Sequence, residues 1–312
     1  MSVVIRPMSE PDLTAVNQII RLAFGTFMGA PDPANWAADR DYGRVRFAID
    51  PSAAFVAMDG DRLIGSNFGT CWGSVAFFGP LTVHPEYWDK GVGQQLLEPV
   101  MRRFDEWDLT HAGLFTFSQS PKHHVLYQKF GFWPRFLISI FGKRIESPPD
   151  AVYKRLSIAS GHEKECLLAG IQNVSEAIYA GLDLTREIET AAGLGFGDTI
   201  AIQRDGVVVG FAVCHLGHGT EAGEGMCYPK FAGVTPGEHA AEDFERLVDA
   251  IEHLAVDTGH PTVTGGVNQS RRNAYQAMLR RGYRIFAVGV AMHRPDEMGY
   301  STPDTYVIDD WR

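Results

Sequence analysis

The chain has 312 residues, 45% hydrophobic and 21% charged, a globular composition that excludes a disordered or fibrous protein. At about 150 residues per domain, the length predicts two domains. Its 28 basic and 38 acidic residues give a net charge of −10, which argues against a surface built to meet nucleic-acid phosphates.

A strand is predicted over residues 3–6 and a helix over 10–24, entered at Ser9 or Glu10. A second helix is expected over 35–49. Residues 54–58 and 62–68 alternate as strands around Asp59-Gly60-Asp61, a hairpin signal. The next strand, 75–83, is broken in character by Gly79-Pro80. A helix over 93–108 carries Leu96, Leu97, Val100, Met101, Phe104 and Trp107 at helical spacing, with Pro99 expected to kink it. A strand at 113–117, a short helix at 122–129 and a strand at 132–140 follow. Strands and helices alternating with hairpins predict an α/β (α+β) fold with a mixed sheet.

The order recurs. Val83-His84-Pro85 and Val234-Thr235-Pro236 share a pattern at an offset of 151, which also carries Leu96 to Leu247, Gly131 to Gly282 and Phe132 to Tyr283. The chain is therefore expected to be a diverged duplication. The boundary is placed at Ser147-Pro148, giving units 1–147 and 148–312, because Pro148 and Pro149 suit neither helix nor central strand.

Cys71, Cys166, Cys214 and Cys227 show no metal-ligand or disulfide spacing, so no metal site is expected. No signal-like leader and no apolar run near 20 residues is read, so the expectation is a cytoplasmic protein off the membrane.

The chemistry concentrates in Leu81-Thr82-Val83-His84-Pro85-Glu86-Tyr87-Trp88-Asp89-Lys90-Gly91-Val92-Gly93-Gln94. A strand enters a turn with two glycines and then a helix, an arrangement that brings free backbone N–H groups close to a phosphate. It is neither a dinucleotide fingerprint nor a Walker loop, since no third glycine follows Gly93 by three residues and Lys90 precedes the glycines. Downstream lies Ser120-Pro121-Lys122-His123-His124-Val125-Leu126-Tyr127-Gln128-Lys129-Phe130-Gly131-Phe132. Residues 84–144 carry eight basic and six acidic side chains, +2 within a chain whose remainder is −12, a distribution that favours an anion here.

These two segments resemble the GNAT (Gcn5-related N-acetyltransferase) family. Its loop reads Arg/Gln-x-x-Gly-x-Gly/Ala after a Val-x-Pro strand end, and its second segment reads Asn-x-x-Ala-x-x-Leu-Tyr-x-x-x-Gly-Phe. Trp88 stands for the usual Arg or Gln, Ser120 for Asn and His123 for Ala, while Leu126, Tyr127, Gly131 and Phe132 match. The resemblance implies two tandem GNAT-like domains, each a mostly antiparallel mixed sheet flanked by helices. It also implies acetyl-CoA as donor and a primary amine, here expected to be a small molecule, as acceptor. Leu81, Thr82, Val83, Trp88, Asp89, Lys90, Gly91, Val92, Gly93, Gln94, Ser120 and His123 are the implied donor-binding residues, and Tyr127 matches the general acid. The base stays open among His84, Glu86, His111 and Ser118, and acceptor specificity is expected in a loop such as residues 24–28.

At the same offset Gly91 becomes Glu242, Gly93 becomes Phe244 and Tyr127 becomes Met278. The second unit is thus expected to be degenerate, structural or acceptor-shaping. A non-catalytic acyl-CoA-binding module and a protein N-acetyltransferase are the alternatives; oligomeric state is not legible.

Overall fold

A computed structural model describes residues 3–311. The first half runs β1 (Val3–Pro7), α1 (Leu13–Phe27), α2 (Tyr42–Ile49), β2 (Ala54–Asp59), β3 (Arg62–Trp72), β4 (Val75–Phe78), β5 (Thr82–Val83), α3 (Val92–Glu106), β6 (His111–Phe117), α4 (Pro121–Gln128) and β7 (Trp133–Arg144). The second repeats the plan: β8 (Lys154–Arg155), α5 (Gly161–Ile178), α6 (Thr185–Gly193), β9 (Gly197–Arg204), β10 (Val207–Leu216), β11 (Met226–Val234), α7 (Ala240–Asp257), β12 (Thr262–Asn268), α8 (Arg272–Arg280), β13 (Arg284–Arg294) and β14 (Val307–Ile308). No described helix is long and apolar enough to cross a membrane.

The elements form where periodicity places them, with local shifts that have physical causes. Gly60, at φ +60°, closes the β2–β3 hairpin, whose last pair is Asp59 opposite Arg62. The expected helix over 35–49 begins only at Tyr42. Ala37 takes a left-handed backbone (φ 48°), and Asp41 then caps the helix by accepting the Arg44 N–H at 2.9 Å. The expected strand over 75–83 splits into β4 and β5 around Gly79-Pro80. α3 keeps Pro99 inside it and buries Leu96, Leu97, Val100, Met101 and Phe104 against β2, β3 and β4.

All strands join one mixed sheet in the order β1-β2-β3-β4-β6-β13-β7-β12-β11-β10-β9-β8, with β5 on β3 and β14 on β11. Among the described residues only β4–β6 and β11–β12 are parallel. The two halves exchange their last long strands. β13 pairs with β6 (Gly289 opposite Phe117), β7 pairs with β12 (Asn268 opposite Ile138), and β7 and β13 pair with each other at the centre. The link at 147–150 therefore separates two sequence repeats that share strands across it.

Further contacts tie the halves. Ser74 N–H donates to Gly181 O (2.8 Å), Glu224 N–H to Asp39 Oδ2 (2.7 Å) and Arg186 Nη1 to Asp50 Oδ2 (2.6 Å). Arg46 of α2 and Lys230 of β11 both hold Glu221, and all three are fully buried. Burial pushes the Glu221 carboxyl up, but the two cations outweigh it and leave it well below the usual carboxylate range. A charge so placed stays ionised and locks the halves together, since removing one partner would strand another in the interior.

Candidate active site

β4 pairs with β6 only over Val75–Phe77, opposite His111–Gly113, and β13 covers the other edge of β6, so the edge of β6 facing β4 is unpaired beyond Gly113 among the described residues. β5 stays with β3, Val83 opposite Gly65 and Thr82 opposite Ser66. A gap therefore opens between β5 and the end of β6. His84 N–H bonds Ile64 O at 2.8 Å, so antiparallel alternation turns the polar backbone of Val83 away from β3 and into this gap. The Trp88 indole N–H meets Val83 O there at 2.7 Å.

The gap continues into a cavity of about 450 Å³. One end is the start of α3. Gly91 precedes the helix at φ 78°, a left-handed conformation that glycine adopts without strain, and a Cβ built on it would meet nothing within 4 Å. Gln95 N–H is bonded to Gly91 O (3.2 Å), so the N–H groups of Val92, Gly93 and Gln94 are the unmatched first donors of the helix, and these residues line the cavity. Lys122 and Lys129 line it too; Lys122 Nζ lies 4.8 Å over the Trp88 ring and 3.7 Å from Asp89 Oδ1. Free N–H donors, the positive end of a helix and two lysines fit a diphosphate.

The other end holds Tyr127, buried on α4 between Phe78, 5.4 Å away, and His123, 6.2 Å away. Burial pushes its phenol up to about 12, opposed by a bond to the Thr116 side chain, so the hydroxyl carries its proton at neutral pH. Burial, then Lys122 and His124, lower the His123 imidazole to about 4 and keep it neutral. Phe24 and Phe27 of α1 close this end against Phe117.

Of the residues the sequence singles out, Leu81, Thr82, Val83, Trp88, Asp89, Gly91, Val92, Gly93, Gln94, His123 and Tyr127 line one cavity. Lys90 lies outside the lining, stacked 5.1 Å from the Tyr87 ring, and Ser120 is a buried helix cap whose carbonyl accepts the His123 N–H at 3.1 Å. None of the four candidate bases lines it. His84 accepts the Glu86 N–H (3.3 Å) and meets Arg62 (3.0 Å), while Glu86 pairs with Arg62 at 2.9 Å. Ser118 is exposed, with its hydroxyl on Val288 O, and His111 starts β6 at the strand end away from the gap. The expected acceptor loop at 24–28 is the last turn of α1 instead, and its Phe24 and Phe27 do face the cavity. Lys122, Lys129 and Phe117 escape a motif reading, although Lys122 sits within the second segment and the local positive charge pointed to it.

Residues 16–132 match the acetyltransferase (GNAT) family. The match spans residues 16–132 of the 312 and holds both segments described above. The chain's whole fold is similar to that of a putative acetyltransferase from Pyrococcus horikoshii (TM-score 0.72, 13% identity, 99% of this chain and 95% of the other). A GCN5-related N-acetyltransferase from Sphaerobacter thermophilus is also alike (0.63, 15%, 93% and 95%). So is a tandem GNAT protein from the clavulanic acid biosynthesis pathway (0.55, 14%, 94% and 98%). No curated protein matches the sequence, and at these identities the structural likeness speaks for fold alone.

Proposed function

We propose that the protein is an N-acetyltransferase that moves an acetyl group from acetyl-CoA to the primary amine of a small molecule. The observation that carries this reading is a single cavity with an open helix start at one end and a protonated, buried tyrosine at the other. The N–H groups of residues 92–94, with Lys122, would hold the diphosphate, and the backbone of Leu81 and Val83 would take the pantetheine arm. In the transfer a C–N bond forms at the acyl carbon and the C–S bond breaks; the amine gives up a proton and the sulfur gains one. Tyr127 is the proton donor to sulfur. A phenol near 12 gives its proton readily only to a thiolate whose own affinity is raised above the ordinary value of about 8.5, and the low dielectric that raises one raises the other.

In this reading only the unit 1–147 binds the donor, and 148–312 completes its sheet and frames the acceptor side. Calorimetric titration of the full chain with acetyl-CoA should give one site per chain, and thiol release should appear when an amine is added. Absence of binding would overturn the proposal, and binding without release from any amine would favour the non-catalytic alternative.

A further inference from the structure

We infer, building on the acetyltransferase reading, that the acceptor is an amine carried on an aromatic group. The cavity end beyond Tyr127 is an aromatic cleft. Ring centroids of Phe27 and Phe117 are 4.7 Å apart, those of Phe27 and His123 5.2 Å, and Phe24 lies 6.1 Å from Phe117 with Trp36 behind it at 5.5 Å. Phe24, Phe27 and Phe117 are each only half-buried, so their rings keep apolar surface open to the cavity. Aromatic groups stack favourably on such rings in offset or edge-on geometry.

Local charge decides against the alternatives. The chain is −10 overall, yet among the described residues lining the cavity Asp89 is the one carboxylate, and it sits at the phosphate end beside Lys122. A polyamine or an aminosugar would bring further ammonium or hydroxyl groups to a wall offering them no counter-charge and few partners, so their desolvation goes uncompensated. The same wall helps the reacting nitrogen, because an apolar site disfavours the ammonium form and releases the neutral amine that attacks. His123 supplies the polar contact: its Nδ1 is buried without a hydrogen-bond partner among the described residues, and it stands where the family motif has alanine.

The test uses the full chain, with acetyl-CoA binding measured by calorimetry and thiol release measured with 2-phenylethylamine, tryptamine, spermidine and glucosamine. The two arylalkylamines should show at least tenfold higher kcat/KM. Phe27→Ala should raise the KM for 2-phenylethylamine about tenfold while the acetyl-CoA Kd stays within twofold, and Phe27→Leu should fall between. Phe117→Leu is the second variant if Phe27→Ala fails to fold by thermal melt. Faster release with spermidine or glucosamine, or an unchanged KM in these variants, overturns the aromatic assignment while acetyl-CoA binding persists. Loss of acetyl-CoA binding by the unaltered chain would instead overturn the donor reading beneath it.

Discussion

The starts of α3 and α7 occupy equivalent places in the two repeats and have opposite chemistry. Both helices end at matching positions, Glu106 and Asp257, yet α7 begins three residues earlier, so the turn that leaves donors free ahead of α3 is wound into helix in the second half. Gly91 and Gly93 give way to Glu242 and to Phe244, which is fully buried. Asp243 fills the helix start from within: its Oδ1 accepts from Arg204 and Arg246, each at 2.9 Å, and Arg204 also holds Glu242 at 2.9 Å. The second repeat thus places two arginine-paired carboxylates in the first turn of its helix, whereas the first turn of α3 carries none. On the proposed reading, the duplication keeps its sheet while a few side chains take the donor site from the second repeat.

The comparison breaks most sharply at Tyr127, which corresponds to Met278. Tyr127→Phe removes the proposed proton donor and should lower kcat by about 10²-fold or more, the scale of general-acid catalysis, with acetyl-CoA affinity little changed. Steady-state kinetics beside calorimetry measure the split, and an unaltered kcat removes the residue from the mechanism. Gly91→Glu copies the second repeat into the first. The new carboxylate faces the phosphate end and forces a side chain into a left-handed backbone at a cost of about 1–2 kcal/mol, so acetyl-CoA binding should weaken by about tenfold or more. Wild-type affinity in that variant would show that the diphosphate lies elsewhere. The reverse change, Asp243→Ala, should not create a second site, because Phe244 still fills the position of Gly93. It should cost about 1–3 kcal/mol of stability, as two arginines lose a buried partner. Chemical denaturation and binding stoichiometry test both halves of that statement.

Much of this arrangement is legible in the residues. Gly91, Gly93 and the Leu126-Tyr127 pair mark the cavity because backbone approach and helix starts leave local signatures. The exchange of β7 and β13 leaves none. Each strand carries the alternation its own repeat requires, and which neighbour it pairs with is decided by contacts between residues more than a hundred positions apart. Phe117 and the last turn of α1 belong to the same class. Their spacing announces a strand end and a helix, and only the packing of α1 near the gap turns them toward one cavity. His84 shows the opposite failure: an imidazole beside the motif is drawn off by Arg62 and the Glu86 N–H.

The smallest expected effect concerns acid. His111 and His293 face each other across the exchanged pair β6–β13, their rings 4.6 Å apart. Burial, with His293 and Arg271 adding to it, lowers His111 to about 3. Burial lowers His293 to about 4 despite the carbonyl of Glu297, and His123 in the cavity also lies at about 4. Between the ordinary histidine value of about 6.5 and these values the unfolded chain takes up protons that the folded chain refuses, so stability is full above 6.5 and is lost as pH falls toward 4. Tm should drop by roughly 5–10 °C over that window, the change expected for a few kcal/mol in a chain this long. Because the halves share strands, the site and the second repeat should melt in one transition. His111→Leu should leave the neutral-pH Tm within a few degrees, since both His111 nitrogens lack partners among the described residues, and should flatten the acid limb. A Tm that holds level from pH 6.5 to 4, or two separate transitions, would mean that the seam between the halves does not carry these neutral imidazoles as a shared burden.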